Sequence, residues 1–232
     1  MGIAQNYESV LSEVRERCGK DGRDESSVLL LAVSKTTDVE GVREAMSAGA
    51  RDFGENRPDE LVRKHDQIPD ANWHFIGNIQ SRRIKDIVRC SCLVHSVYEI
   101  RHARKISEVA ERMGKVQDIL LEVNVSGEET KGGLDPDELI GMVEACAELK
   151  GIRPRGLMTM APQGDPDVAR RCFSELAGLA VGCRAVLGSD AEHFDQLSMG
   201  MTEDWGEAVD EGSTIVRIGR AIFGSARPAA QG

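Results

Sequence analysis

Along the chain, short runs of β-branched and other apolar residues alternate with longer stretches in which apolar positions recur every three or four residues. The short runs predict strands at Ser27 to Ser34, Asp52 to Gly54, Trp73 to Gly77, Leu93 to Val97, Asp118 to Val125, Arg155 to Met158, His193 to Ser198 and Thr214 to Ile218. Between them VEGVREAMSAGA, YEIRHARKISEVAERMGK, DPDELIGMVEACAELKG and PDVARRCFSELAGLAVGC read as amphipathic helices. Asp38 and Asp135 suit N-caps, Pro136 a first helical turn, and Gly49, Gly114 and Gly151 C-terminal caps. The residues before Gly19 add one helix ahead of the first strand.

Strand and helix alternating from end to end, with no polar linker, predict an α/β fold with a parallel sheet. Eight such units in 232 residues fit one closed (β/α)8 barrel over residues 1–232, a fold that typically takes about 250. A doubly wound dinucleotide-binding sheet lacks its main support, because the first connection has no G-x-G-x-x-G. In a barrel the chemistry belongs at the C-terminal ends of the strands.

Composition narrows the partners. A net charge of -10 argues against nucleic acid, which demands a basic surface. No apolar run approaches the roughly 20 residues that span a bilayer, and the start MGIAQNYESVLSEVRERCGK lacks a signal-peptide core; a cytoplasmic protein with no membrane partner is expected. The six cysteines are scattered, with one C-x-C pair, so neither a disulfide framework nor a metal site is indicated.

The strand ends then select residues. SSVLLLAVSK delivers Lys35 just past the first strand, where a partly desolvated amine could attack an aldehyde; a solvent-exposed loop lysine fits the same position. The last two strands end in QLSMGMTEDW and TIVRIGRAIFG, two adjoining turns of a kind that binds phosphate in such barrels. Ser198 there offers a hydroxyl, while Met199, Gly200 and Gly219 shape the turns; the glycines would also serve tight turns alone. Arg217 is the polar residue of an apolar strand and needs an acceptor, either a ligand or a neighbouring acid. Asn56, His74, Asn124, Met158 and Thr159 stand at other strand ends, where core or capping roles would account for each singly. Tyr7 and Tyr98 lie far from these segments in this reading.

Taken together and in order, VSK, GENR, WHFIG, NVSGEETKGG, GLMTM, LSMGMTEDW and VRIGRAIFG resemble the pyridoxal phosphate homeostasis protein family, YggS-like single-domain relatives of the alanine racemase barrel. The resemblance runs from about Val33 to Gly224. It implies that pyridoxal 5′-phosphate (PLP) is held as a Schiff base on Lys35, with Arg217 at the pyridine nitrogen, Ser198, Gly219 and Arg220 at the phosphate, Asn56 lining the cavity and Lys131 as a secondary lysine. It further implies storage and delivery of PLP without substantial amino-acid turnover, with PLP-dependent apoenzymes as the partners of delivery and a monomer or weak dimer as the working state. An arginine at the ring nitrogen discourages its protonation and weakens the ring as an electron sink. A PLP-dependent racemase or lyase, and an aldolase-type phosphosugar enzyme, are the alternatives. Two places depart from the family pattern: Gln-x-Asn-Lys is replaced by Gln80, Ser81, Arg82, Arg83, and a glutamine by Asp59 ahead of Glu60.

Overall fold

The computed structural model describes residues 2–128 and 132–224, so Lys131 lies outside the described residues. Eight parallel strands close into a barrel in chain order. They are β1 Leu29–Val33, β2 Asp52–Glu55, β3 Asn72–Phe75, β4 Leu93–Val97, β5 Gln117–Glu122, β6 Ile152–Met158, β7 Gln196–Ser198 and β8 Ile215–Ile218. The ring closes where β8 pairs with β1, with Leu29 opposite Ile215 and Leu31 opposite Arg217.

Because helices cover the outside and side chains fill the inside, both faces of each strand are buried, and strands such as LLLAV read as unbroken apolar runs. Leu31, Leu93, Leu120, Met158 and Ile215 cluster apart from the larger core, which takes Leu30, Ala32, Phe53, Trp73 and Phe75 on the alternate strand positions. The first set fills the barrel and the second meets the helices.

Those helices are α1 Ile3–Lys20, α2 Val39–Ser47, α3 Pro58–Gln67, α4 Ile84–Cys90, α5 Ile100–Arg112, α6 Leu139–Ala147, α7 Pro166–Leu187, α8 Trp205–Asp210 and α9 Arg220–Phe223. The additional helix is α1, which buries Tyr7, Val10, Val14 and Cys18 at helical spacing and packs on α2, α8 and α9, the helices flanking the closing seam. Asp38 caps α2 through the Gly41 amide at 3.0 Å, and Gly49 and Gly114 take positive φ after α2 and α5. By length and composition α7 could cross a membrane; here it buries Ala169, Cys172, Phe173, Leu176, Ala180 and Cys183 along one face of the barrel's helical layer.

Several boundaries differ from the sequence reading. His193 ends a 3-10 turn, Gly188–His193, and β7 begins only at Gln196. β6 starts at Ile152, before its proline, and its pairing with β5 slips between Ile119 and Leu120. Gly151 is not a left-handed cap: a Cβ there would fall 2.2 Å from the Ser107 carbonyl oxygen, so the residue is small because two segments touch. Of the six cysteines, Cys92 is exposed and the others are buried.

Candidate functional site

The C-terminal ends of the strands surround a cavity of about 1050 Å³. Lys35 and Asn56 border it just beyond β1 and β2, Met158 at the end of β6, and Arg217, Gly219 and Arg220 from β8 and the turn after it. These six of the expected residues meet in one place. Lys35 is exposed at the rim, in contrast to the partly desolvated position expected. Gly219 lets the turn press against the end of β1, since a Cβ there would lie 2.9 Å from the Val33 carbonyl oxygen. Arg220 pairs with Glu203, 2.5 Å away, which also borders the cavity.

Arg217 is almost wholly buried, and its guanidinium is fixed from within the barrel. Nη1 donates to the Ser198 carbonyl at 2.7 Å and to Ser198 Oγ at 2.9 Å, and Nη2 donates to the Thr159 carbonyl at 2.9 Å. Three neutral acceptors thus orient the cation without neutralising it. Burial brings its pKa down to about 10, opposed by Glu122 and Asp204, so it stays charged at neutral pH.

The remaining four expected residues are not among those bordering the cavity. Ser198 is fully buried beneath Arg217, Met199 points into the outer core, and Gly200 accepts the Arg217 amide at 3.0 Å while taking φ 91°. His74 is buried inside the barrel: its Nδ1 lies 3.0 Å from His95 Nε2 and its Nε2 lies 3.2 Å from Asp52 Oδ1. His95 Nδ1 in turn lies 2.9 Å from Ser198 Oγ. A chain of polar contacts therefore runs from Asp52, where β2 begins, through both histidines and Ser198 to Arg217 below the cavity. Burial disfavours a charged His74, but hydrogen bonds to Asp52 and Cys92 outweigh it and raise its pKa to about 9; burial holds His95 well below the ordinary histidine value.

Glu122, at the end of β5, borders the cavity and was missed by the sequence reading. Burial pushes its carboxyl up to about 7, with Arg217 pulling the other way. The signal was present, since an acid ending the apolar run DILLE is as conspicuous as the arginine of TIVRIG. Thr202, also on the cavity wall, was missed beside Ser198. Tyr98 is closer to the mouth than expected: it follows β4, a Cβ on Gly132 would sit 3.5 Å from its ring, and its phenol feels Glu122. Tyr7, on α1, feels Asp52 and Arg51 instead. Asn124 ties its own loop, donating to the Glu128 carbonyl at 2.9 Å.

Behind the rim, a second polar cluster lies between the barrel and α3. Lys64 and Glu55 are both fully buried and 2.5 Å apart. Lys64 also donates to the Ser34 carbonyl at 2.7 Å, and Ser34 Oγ donates to Glu55 at 2.7 Å. Ser34 and Glu55 immediately precede Lys35 and Asn56, so this cluster joins the two strand ends that carry those residues. The two departures from the family pattern also meet: Arg83 forms ion pairs with Asp59 and with Asp86, linking α3 to the start of α4 at the cavity rim.

The alanine racemase N-terminal domain model matches residues 11–227. A pyridoxal phosphate homeostasis protein of Pseudomonas aeruginosa is 40% identical over 96% of this chain and 95% of its own length. The chain belongs to the pyridoxal phosphate homeostasis protein family. Another member, from Aquifex aeolicus, is 37% identical over 97% of this chain and 98% of its own. Among solved structures, PipY of Synechococcus elongatus with PLP bound is 31% identical with a TM-score of 0.80, covering 91% of this chain and all of PipY. PipY without PLP superposes with a TM-score of 0.82 at 32% identity. The homeostasis-protein pattern thus accounts for the order of motifs, and residues of VSK, GENR, WHFIG, GLMTM, LSMGMTEDW and VRIGRAIFG border the cavity.

Proposed function

We propose that this protein binds PLP at the barrel mouth, holds it as a Schiff base on Lys35, and serves PLP homeostasis by storing and delivering it. The observation carrying this reading is the pairing, at one cavity, of the Lys35 amine with the immobilised Arg217 guanidinium. The residues fit the group: an amine for its aldehyde, a fixed cation for its ring nitrogen, and room for a pyridine ring with its phosphate. When bound, PLP supplies an aldehyde that condenses reversibly with amines.

Lys35 anchors the ligand, its strand end tied down by Ser34 and the Lys64–Glu55 pair. Arg217 orients the ring and donates toward its nitrogen, which keeps the ring a poor electron store and favours holding over turnover. For the phosphate, the Gly219–Arg220 turn and Thr202 border the cavity, whereas the Ser198 hydroxyl is committed to Arg217. Asn56 and Met158 complete the wall. The cytoplasm, where PLP-dependent apoenzymes would receive the cofactor, suits such a role.

A racemase reading has one observation in its favour: Glu122 is a buried titratable group on β5, opposite β1 in an eight-stranded ring. The decisive experiment mixes the purified protein with PLP, reads the absorbance band near roughly 420 nm expected of the cofactor's imine, reduces with borohydride and maps the modified peptide. Lys35 should carry the adduct and Lys35→Ala should lose it; an equal adduct on Lys131 would overturn the assignment. Transfer of PLP to an apoenzyme, without solvent-deuterium exchange at Cα of amino acids, is expected. Exchange at about 1 s⁻¹ or faster would establish the racemase reading in place of the carrier.

A further inference from the structure

The chain Asp52–His74–His95–Ser198–Arg217 joins the N-terminal face of the barrel to the floor of the cavity, and the cavity itself does not require it. Each internal contact is 3.2 Å or shorter. Its two ends are fixed: Asp52 can only accept as a carboxylate, and Arg217 can only donate. Between them stand two imidazoles and a hydroxyl, each able to donate in one direction and accept in the other.

Two complete arrangements follow. With His74 neutral, Arg217 donates to Ser198 Oγ, the hydroxyl donates to His95 Nδ1, His95 Nε2–H donates to His74 Nδ1, and His74 Nε2–H donates to Asp52. Every donor and acceptor is used once, and the dipoles align from the cation to the anion, the arrangement that strengthens each bond in a chain. With His74 protonated, both its nitrogens donate. His95 must then accept at Nε2 and carry its proton on Nδ1, directed at Ser198 Oγ. That oxygen now receives from both sides, and its own proton loses its acceptor in the chain. Arg217 donates into an oxygen already engaged by His95, with a second cation at the far end of the chain.

We propose that His74 and His95 are positioning residues for Arg217: the proton on His74 sets the tautomer of His95 and, through Ser198, how firmly the guanidinium is held beneath a ligand in the cavity. The groups that set the titration come from every neighbouring element. Asp52 of β2, Cys92 ahead of β4 and His95 of β4 face His74, with Tyr7 of α1 beyond Asp52. Glu122 of β5 and Asp204, just before α8, act on Arg217 from the other end. Geometry and proton counting define the two states, and these charges set where they exchange.

The inference rests on the PLP-binding reading only for its consequence, and the experiment separates the two. In the full chain free of PLP, long-range ¹⁵N–¹H spectra of the histidines report which ring nitrogen is protonated. As pH rises through the His74 transition, the proton on His95 should move from Nδ1 to Nε2; a His95 tautomer unchanged through that transition overturns the relay. Ser198→Ala removes the hydroxyl, which keeps both of its bonds only while His74 is neutral, and should therefore raise the His74 midpoint by about one pH unit, one hydrogen bond's worth. No movement of that midpoint would also overturn it. With PLP added, affinity measured against pH should show a step of roughly tenfold at the His74 midpoint, tighter on the high-pH side. His74→Gln, checked for an unchanged circular dichroism spectrum, should abolish the step. A step that survives in His74→Gln refutes the proposal, whereas a parent protein that fails to bind PLP at all refutes the functional reading and leaves the spectra to decide the relay.

Discussion

Replacing Lys64 by methionine tests the cluster that joins the ends of β1 and β2. The side chain is fully buried, as is its partner Glu55, and no solvent can replace the lost ammonium. Methionine fills a similar volume but removes donors to Glu55 at 2.5 Å and to the Ser34 carbonyl at 2.7 Å. Glu55 Oε2 already has no hydrogen-bond partner among the described residues, so its carboxylate would keep only the Ser34 hydroxyl. Removing one member of a buried pair in this way costs about 3–5 kcal/mol, a large part of the 5–15 kcal/mol typical of a whole domain. With a urea slope of about 3 kcal/mol/M, the unfolding midpoint should fall by roughly 1–1.7 M. The assay is urea denaturation of the PLP-free protein, followed by circular dichroism and by tryptophan fluorescence to verify that the two transitions coincide. Adding Glu55→Gln to Lys64→Met should recover stability, because neither charge then remains. A single variant within error of the parent, or a double variant weaker than the sum of the singles, would refute the argument.

Two further outcomes are expected. Because folding raises the Glu122 carboxyl from its ordinary 4.5 to about 7, the folded protein holds a proton between those pH values that the unfolded chain has released; stability should decline by up to about 3 kcal/mol as pH rises through that window and level off above it. Glu122→Gln should flatten this slope in denaturation curves taken across the range, and an unchanged slope would place the proton elsewhere. Gly219→Ala should lower the thermal midpoint and weaken PLP binding, since its Cβ meets the Val33 carbonyl oxygen at 2.9 Å and Val33 Cβ at 3.3 Å, at a cost of about 1–3 kcal/mol; an unchanged melt and unchanged PLP titration would show that the seam yields freely.

The barrel was legible because a strand buried on both faces leaves an apolar run that no surface helix imitates, and Leu93–Val97 carries the same bounds in sequence and structure. Where the reading slipped, local contacts had replaced pairing: His193 and Phe194 fall within the expected seventh strand but belong to a 3-10 turn and its end. For the site, alternation tells which side chains point into the barrel and not how high they stand in it. His74 and Glu122 both point inward, yet the first lies within the barrel while the second borders the cavity. That height depends on strand tilt and on register shifts such as those between Val94 and Val97 and between Ile119 and Leu120, which arise only when neighbours pair. Ser198 shows the same limit, for its position at the end of β7 was plain and its place beneath Arg217 was not.

The seam between β1 and β8 determines when the pocket can exist during synthesis. Lys35 follows the first strand and Arg217 belongs to the last, and they become neighbours across the mouth only after Leu31 comes opposite Arg217. A nascent chain still missing its final strand has the amine without the guanidinium, however many of its other units have folded. On the proposed function, PLP therefore cannot stabilise a partial barrel; its binding energy arrives in one step with closure, in proportion to the free concentration of the ligand. Occupancy by PLP would then mark a chain that has made its eighth strand and has closed its ring.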